Sequence, residues 1–546
     1  MNIKDTTLYK LLIALIVLVS TFALFGGIME PDSALYASIA KNMVLRNDWV
    51  NIYVRGLDWL DKPHLTFWLA AASFKIFGIN AFAYKLPSFL AGLLGAWYLY
   101  KLAKSIYSEK TGLISALILL SSLHILISTF DVRAEVYITT FTLAAIYHYY
   151  KAHQSSFWHI VLGSFFSACA IMIKGIFVLI PVFGGFIIYW LLTKQFKQLL
   201  KLKWWLAIVL IFIFIIPELY TLYVQFDLHP EKLVFGKTGI SGIKFFFWDS
   251  QFGRFFNNGP IKGKGDISFF LHTTLWAFLP WSILFYTAVV NLFKKKNRSN
   301  LPPESIMIWT SAAITFLLFS LSKFQLPHYI LIILPQFAII TALYLQKLES
   351  KSLKVFFTIQ NVLAVLITLI LSLVAIAFGF KNNYLAITIL VVVLIASFMV
   401  FKGIKTETIL ARSTIISASL MLFLSIFFYP SVLKYESGME AGNWLKANYP
   451  QAKASVLMYP DAYSFDFYAS GDPKYFWDYE ELDKFKGDEN LVIYAPETEL
   501  PKLKKDYSAT VLKSFEYYHI TKLTPKFINA KTRPQLLEHF YLVKLH

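Results

Sequence analysis

Runs of about twenty apolar residues recur from residue 9 to residue 432 and then stop. A helix needs about 20 mostly apolar residues to cross the hydrocarbon core of a bilayer. Thirteen stretches meet or approach that length: 9–28, 84–103, 111–130, 134–150, 158–175, 176–193, 204–224, 267–292, 305–322, 329–346, 355–379, 384–401 and 409–432. Two connections, 29–83 and 225–266, are too long for simple turns, and long ordered connections tend to carry function. In the first, SALYASIAKNMVL (33–45) sets Leu35, Ile39 and Met43 at four-residue spacing, with Ser38, Lys41 and Asn42 on the other side. This pattern predicts a short amphipathic helix lying in the membrane interface. His64 to Gly78 predicts a second helix, too short to cross, along the same outer surface. Beyond 432 the pattern changes. Gly438 to Tyr449 reads as a helix, and 455–459, 491–494, 510–515 and 540–545 are β-prone runs separated by Pro, Gly, Asp and Lys. Together they predict a small soluble α/β domain with one sheet over 433–546, following a helical membrane part over 1–432.

Composition agrees with the pattern. The chain is 57% hydrophobic and only 15% charged, with a mean hydropathy of +0.56, against about 25% charged residues in soluble domains. A cytosolic soluble enzyme is excluded. The net charge of +18 is carried by the first 432 residues, because 433–546 holds 15 Lys+Arg against 16 Asp+Glu. The basic residues gather in short loops: Lys194 to Lys203, KKKNR at 294–298, and around Lys402 and Lys405. Such loops mark the cytoplasmic side of a membrane protein, and nucleic acid is not an expected partner. With the N-terminus inside and an odd number of spans, 433–546 falls outside, on the periplasmic face of a bacterial inner membrane. The N-terminus has no convincing small-residue cleavage site and reads as a retained first helix. The single cysteine, Cys169, allows no disulfide framework and no thiolate metal site. No internal repeat is visible.

Ionisable groups at membrane depth are costly and mark function by default. With that topology, the outward ends of the spans supply Glu30 and Asp32, then Asp61 and Lys62 in WLDKPHL, and Asp131, Arg133 and Glu135 in FDVRAE. They also supply Lys174, then Asp249 and Arg254 in WDSQFGR, and Lys323, His328 and Tyr329 in SKFQLPHY. All fall on one face of the membrane. Lysine, arginine and tyrosine donors at an interface suit an anionic lipid headgroup: Lys62, Lys174, Arg254 and Tyr329 could bind a phosphate and stabilise the charge that builds when it leaves. Asp32 or Glu30 is placed to act as general base toward an acceptor hydroxyl.

At these residues the chain resembles the lipid A aminoarabinose transferases, and with them the protein O-mannosyltransferases, among the GT-C membrane glycosyltransferases. The resemblance rests on DSALYASIAKNM, DWVNIYVRGLDWLDKPHLTFW and LPHYILIILP. It implies an α-helical integral membrane protein of about 13 transmembrane helices with interfacial helices, plus an extracytoplasmic C-terminal α/β domain. It implies transfer of a sugar, with inversion, from a polyprenyl-phosphate carrier (undecaprenyl phosphate in bacteria) to lipid A, another glycolipid or glycan, or a protein. By the same resemblance Asp32 matches the catalytic base, with Tyr36 at the expected spacing and Trp59 as the aromatic residue before the lysine. Lys62 matches the lysine of a Glu-Lys-Pro signature that contacts the carrier phosphate. Arg254 is similar to a phosphate-clamping loop arginine, Tyr329 to the tyrosine of a Leu-Pro-x-Tyr run, Asp131 to a second acidic position and Lys174 to a recurrent Lys-Gly. Leu35 stands where aminoarabinose transferases carry arginine, Asp61 replaces the glutamate, and Asp249 stands in place of a histidine. Asp61 and Asp249 are thus the candidate ligands of a divalent metal, which the chemistry does not require. No nucleotide cofactor is expected.

Blander readings compete at each position. Asp32 before Ser33 is also a good helix N-cap, Lys62 and Lys174 could simply snorkel to water, and Asp131, Arg133 and Glu135 could be a self-neutralising structural cluster. His64 and His328 read as ordinary interfacial residues. The competing function is a transporter or flippase of lipid-linked or anionic substrates, whose buried charges would lie near the midplane and whose halves would repeat.

Overall fold

The computed structural model describes residues 5–154, 157–258, 261–294, 301–459 and 461–546. Residues 295–298 of the basic KKKNR run, and 259–260 of the second long connection, lie outside the described residues.

Every apolar stretch forms helix, and the reasons for the breaks are local. Among the described residues, seven helices are long and apolar enough to cross a bilayer: Asp5–Phe25, Phe157–Lys174, Leu202–Asp227, Pro327–Leu345, Ser350–Phe378, Asn383–Val400 and Thr406–Tyr435. Ala81–Ile106 and Ala134–Gln154 are as long. They carry more polar side chains, most of them buried in the bundle. Ser350–Phe378 and Asn383–Val400 expose rows of large apolar residues such as Leu366, Leu369, Leu373, Val392 and Ile395, as lipid-facing helices do. The 111–130 stretch breaks between Leu120 and Leu123, where the Ser121 and Ser122 hydroxyls donate back to the Leu117 and Ile118 carbonyls. Such back-bonding competes with the helix ladder. The 267–292 stretch breaks at Pro280, which has no N–H to continue the helix. The two breaks are joined, since Leu123 N–H donates to the Leu279 carbonyl at 2.9 Å and Trp281 Nε1 to Ser121 Oγ at 3.0 Å.

Beyond the bundle lies the expected single sheet, and it is a mixed one. We number the strands β1 (Tyr53–Val54), β2 (Leu57–Asp58), β3 (Lys453–Leu457), β4 (Lys474–Phe476), β5 (Leu491–Pro496), β6 (Thr510–Tyr517) and β7 (Glu538–Lys544). β1 and β2 form a small hairpin in the first long connection. The other five form one sheet in the order β4-β3-β5-β7-β6, with β3 parallel to β4 and β5, and β7 antiparallel to β5 and β6. Four of its strands coincide with the β-prone runs. β4 is three residues long, too short for an alternation to show.

The helix predicted over 33–45 is present as Asp32–Arg46, but its expected polar face is not wet. Ser38, Lys41 and Asn42 are as buried as Ile39 and Met43, because the helix lies beneath the C-terminal domain. The Lys41 ammonium donates to the carbonyls of Asp466, Phe467 and Ala469 at 2.5, 3.2 and 2.7 Å. Ser38 donates to the Tyr463 carbonyl at 3.0 Å. The domain also grips the membrane part elsewhere: Arg533 donates to the Phe378 carbonyl at 2.8 Å, and Tyr468 accepts from the Ile28 N–H at 2.9 Å. The opposite end of the bundle is closed by Lys110, which pairs with both Asp5 and Glu407.

Candidate active site

Three segments are fixed before the site residues are placed. The chain entering the first long connection is held by Lys85, 1% exposed, whose ammonium donates to the carbonyls of Ala23, Gly26 and Gly27 at 3.1, 3.0 and 2.8 Å. The far part of that connection is pinned by His64, which is not interfacial but fully buried. Its N–H and Nδ1 both meet the Glu218 carboxylate at 3.0 Å, and its Nε2 meets the Val50 carbonyl at 2.8 Å. Gln225 brackets Ile52, donating to its carbonyl and accepting from its N–H, each at 2.9 Å. The second connection is anchored where Gln251 donates to the Lys174 carbonyl at 2.9 Å. Gly175 follows in a left-handed conformation (φ +106°), and a side chain there would collide with the Gln251 amide.

These supports bring distant residues around one cavity of about 170 Å³, lined by Asp32, Tyr36, Asp61, Lys62, Arg133, Glu135, Lys174, Arg254, His328 and Tyr329. Seven of the sequence-derived site residues are therefore neighbours: Asp32, Tyr36, Asp61, Lys62, Lys174, Arg254 and Tyr329. Asp131 stands directly behind, gripped by Arg133. Trp59 is not on the cavity wall. It packs edge-on against Phe67 (5.8 Å), the same ring that Tyr36 packs on (5.5 Å), and so backs the site at one remove.

The charges pair in three units. Asp61 holds both Lys62 and Arg254. Burial alone would raise the Asp61 carboxyl, but the two cations more than reverse that, and it is held below its ordinary value. Glu135, 3% exposed, holds Lys174, with His328 at 3.7 Å, and the Lys174 ammonium sits 3.7 Å above the Tyr329 ring. Arg133 bridges Asp32 and Asp131. Asp32 opens the 32–46 helix without capping it: Pro31 is the cap residue, no side-chain cap bond is made, and the carboxylate turns to Arg133.

The donor set does not fit a divalent metal at Asp61 and Asp249. Both Asp61 oxygens are taken, Oδ1 by Arg254 and Oδ2 by Lys62. Among the described residues, Asp249 on the Phe245–Gly253 helix neither lines the cavity nor bonds to Asp61, and no cluster of three or more His, Cys, Asp or Glu is gathered for a metal.

An apolar groove of about 440 Å³ opens beside the charged cavity and shares Lys174, Arg254, Phe324 and Tyr329 with it. Its other walls are mostly greasy, with Ile176, Phe177, Ile180, Phe252, Phe255, Leu318 and Phe319 beside the polar Ser250, Gln251 and Ser322. Arg133, Glu135 and His328 were visible in the sequence only as a cluster and a lone histidine, and the structure places all three on the cavity wall. Glu218 and Lys85, each an ionisable residue inside an apolar run, are the further residues that the cost of burial beside hydrocarbon singles out.

Fold and site together describe a polytopic membrane protein with a C-terminal sheet domain. Over nearly its whole length the chain is similar in fold to ArnT from Cupriavidus metallidurans bound to undecaprenyl phosphate, with a TM-score of 0.77 at 17% identity, covering 97% of both chains. The apo form of that protein gives 0.74 at 18% identity, covering 92% of this chain and 95% of that one. Residues 61–220 match the dolichyl-phosphate-mannose-protein mannosyltransferase family. In sequence the chain is 29% identical over 339 residues to a protein of Aquifex aeolicus, covering 60% of this chain and 62% of that one. It is 26% identical over 404 residues to the undecaprenyl phosphate-alpha-4-amino-4-deoxy-L-arabinose arabinosyl transferase 2 of Proteus mirabilis, covering 68% and 67%. The matched region thus spans about two thirds or less of these relatives' lengths. The resemblance read from the three motifs is the one these comparisons carry.

Proposed function

We propose that the protein is a glycosyltransferase that moves a pentosyl or hexosyl group, with inversion, from a polyprenyl-phosphate carrier to a hydroxyl acceptor at the outer face of the bacterial inner membrane. One observation carries the reading: a cavity with four cations opens into an apolar groove, and Lys174, Arg254 and Tyr329 stand at the junction. A prenyl phosphate has that shape, a greasy chain ending in an anion. The relatives named for undecaprenyl-phosphate-linked substrates support the same donor class.

In this reading the prenyl chain lies along Phe177, Phe252, Phe255 and Phe319, and the phosphate meets Lys62, Arg254 and Lys174, with the Tyr329 hydroxyl as a further donor. The acceptor oxygen attacks the anomeric carbon from the side opposite the phosphate. Its proton goes to Asp32, and the bond from carbon to phosphate oxygen breaks with its electron pair on the phosphate. The cations stabilise the dianion that forms; losing one such contact in a water-poor site costs about 10²–10³ in rate. No step needs a metal, and none is assigned one.

The thirteen-span topology belongs to this reading. The four shorter apolar helices Leu65–Phe77, Ile176–Leu192, Ser282–Leu292 and Ser305–Leu321 leave room for it, Leu65–Phe77 lying along the surface and the others crossing. The C-terminal domain sits over the end of the bundle that holds the charged cavity. Among the described residues the basic loops join helices at the other end, as where Lys203 donates to the Ala152 carbonyl at 2.6 Å. With positive residues inside, this reading has cavity and domain facing the periplasm. The acceptor is lipid A, another surface glycan or lipid, or a protein hydroxyl. Charges gathered at one end, with no repeat, disfavour a transporter.

The test is transfer itself. Purified protein in liposomes with labelled undecaprenyl-phosphate sugar should consume donor and release undecaprenyl phosphate, and Lys62→Ala and Arg254→Ala should fall by 10²-fold or more. Solute uptake without donor consumption, or full activity in Asp32→Asn, would overturn it.

A further inference from the structure

Arg133 divides its guanidinium between two aspartates. One terminal nitrogen meets Asp32 Oδ2, while the other terminal nitrogen and Nε both meet Asp131 Oδ2, the latter at 2.7 Å. Two consequences follow for Asp32. Its Oδ2 is occupied, and among the described residues no hydrogen bond or ion pair engages its Oδ1, so a single oxygen is left to face the cavity. The three residues also sum to one negative charge, whereas Asp32 with Arg133 alone would sum to zero. A carboxylate locked to an uncompensated arginine is a weak base. Asp131 supplies the compensation: its other oxygen is buried without a partner, so no further donor quenches its charge. Burial raises the Asp131 carboxyl despite the opposing pull of Arg133. Arg133 itself would be lowered by burial, but Asp131, Asp32 and Glu135 more than reverse that.

The geometry points to Arg133 and Asp131 as positioning residues for proton uptake: Arg133 aims Asp32 by holding one oxygen, and Asp131 offsets the arginine's charge so that the other oxygen stays basic enough to take the acceptor's proton. This rests on the transfer reading above. In the step, the acceptor O–H bond breaks, its proton goes to Asp32 Oδ1, and its electron pair forms the new glycosidic bond while the bond from the anomeric carbon to the phosphate oxygen breaks with its pair on the departing prenyl phosphate. The triad passes from one negative charge to none, with no movement of Arg133.

The other titratable groups around Asp32 are Tyr36 on its own helix, Glu135 beyond Arg133, and His328 and Tyr329 from the 327–333 turn. Across the cavity stand Lys174 and the Asp61, Lys62 and Arg254 unit. Among the described residues none of these bonds to the Asp32 carboxylate, so Arg133 and Asp131 should dominate its response.

Full-length protein in liposomes of phosphatidylethanolamine, phosphatidylglycerol and lipid A would be tested in two ways. A carbodiimide, which attacks protonated carboxyls, would label Asp32 across pH 3–9 with readout by mass spectrometry, and turnover of labelled undecaprenyl-phosphate-aminoarabinose would be followed over the same range. Arg133→Gln leaves Asp32 facing only Asp131, so the labelling midpoint and the acid limb of turnover should move up by about 1–2 pH units. Asp131→Asn leaves Arg133 uncompensated, so both should move down by about as much. Arg133→Lys keeps the charge but loses the fork, so the midpoint should stay while kcat falls about tenfold or more and KM for the donor holds. Midpoints that stay put, or move the same way in Arg133→Gln and Asp131→Asn while wild type turns over donor, overturn the inference and leave the transferase reading standing. Opposed midpoints in a protein that never consumes donor overturn the transferase reading and the proton-uptake role with it.

Discussion

Replacing Lys41 with methionine tests how the C-terminal domain is tied to the helix that carries Asp32. Lys41 is 3% exposed and donates to three backbone carbonyls at the end of the Tyr463–Tyr468 helix. Methionine fills much the same volume but leaves those acceptors unpaired in a buried place, at about 1–3 kcal/mol each. Against this stands a relief. Burial lowers the ammonium from its ordinary 10.5 to about 8, so keeping it charged near neutral pH costs about 3 kcal/mol. The difference is a net loss of up to about 6 kcal/mol in docking, about 3 kcal/mol at mid-range. Limited proteolysis of the solubilised protein should then cut between the last membrane helix and the sheet domain severalfold faster than in wild type. Donor turnover should fall with it, because Asp32 lies on the loosened helix. Equal cleavage rates and an unchanged melting temperature in Lys41→Met would refute the idea that this lysine is a staple.

The junction should also respond to pH. Burial raises the Glu30 carboxyl to about 7, and Glu436, 1% exposed beside it, is raised as well. Folded-state values above the ordinary 4.5 mean that the folded protein holds protons the unfolded chain has lost. Stability should therefore be full below about pH 4.5 and decline by about 1–3 kcal/mol as pH rises through 7; Glu436→Gln should flatten the decline in melting scans at pH 5 and 8. Breaking the buried Glu135 and Lys174 pair from either side should cost about 3–5 kcal/mol, and the double variant Glu135→Gln, Lys174→Met should recover part of it, read by thermal unfolding in detergent. Donor turnover should survive prolonged dialysis against EDTA, since both Asp61 oxygens are held by cations; loss of activity restored by one divalent ion would show the metal assignment to be mistaken.

What could be read in advance, and what could not, follows from the range of the interactions. Periodicity and apolar length are local, so the helices, the 32–46 segment and four strands of the sheet were visible. The cost of an ionisable group beside hydrocarbon is also local, which is why Asp32, Lys62, Lys174, Arg254 and Tyr329 stood out and are found around one cavity. The same rule applied evenly would have flagged Glu218, Lys85 and Arg412, each inside an apolar run and each buried. Partner choice is not local. That Asp61 would hold Arg254, 193 positions away, or that the polar side of 33–45 would be buried by a domain more than 400 residues further on, is written in no pattern of neighbours. A polar face predicts contact with something polar, and water was only the nearest candidate; here the partner is the carbonyl end of another helix.

The site's charge is balanced yet not uniform, and that difference bears on how an ion-paired cavity can bind an anion at all. Around it four carboxylates, Asp32, Asp61, Asp131 and Glu135, meet four cations, Lys62, Arg133, Lys174 and Arg254. Were they paired one to one, a phosphate would have to break a pair to enter. Instead one unit holds two cations on a single carboxylate and another holds two carboxylates on a single cation. The cationic unit includes Arg254, which also walls the apolar groove, and the anionic unit includes Asp32 and lies away from it. A carrier phosphate can then add to the Asp61 unit without displacing Asp61, while proton uptake neutralises the Asp32 unit. The field between the two units runs from the Asp61 unit to the Asp32 unit, so it drives negative charge the other way, from acceptor oxygen to leaving phosphate as the proposed transfer requires, and it is in place before the substrate arrives.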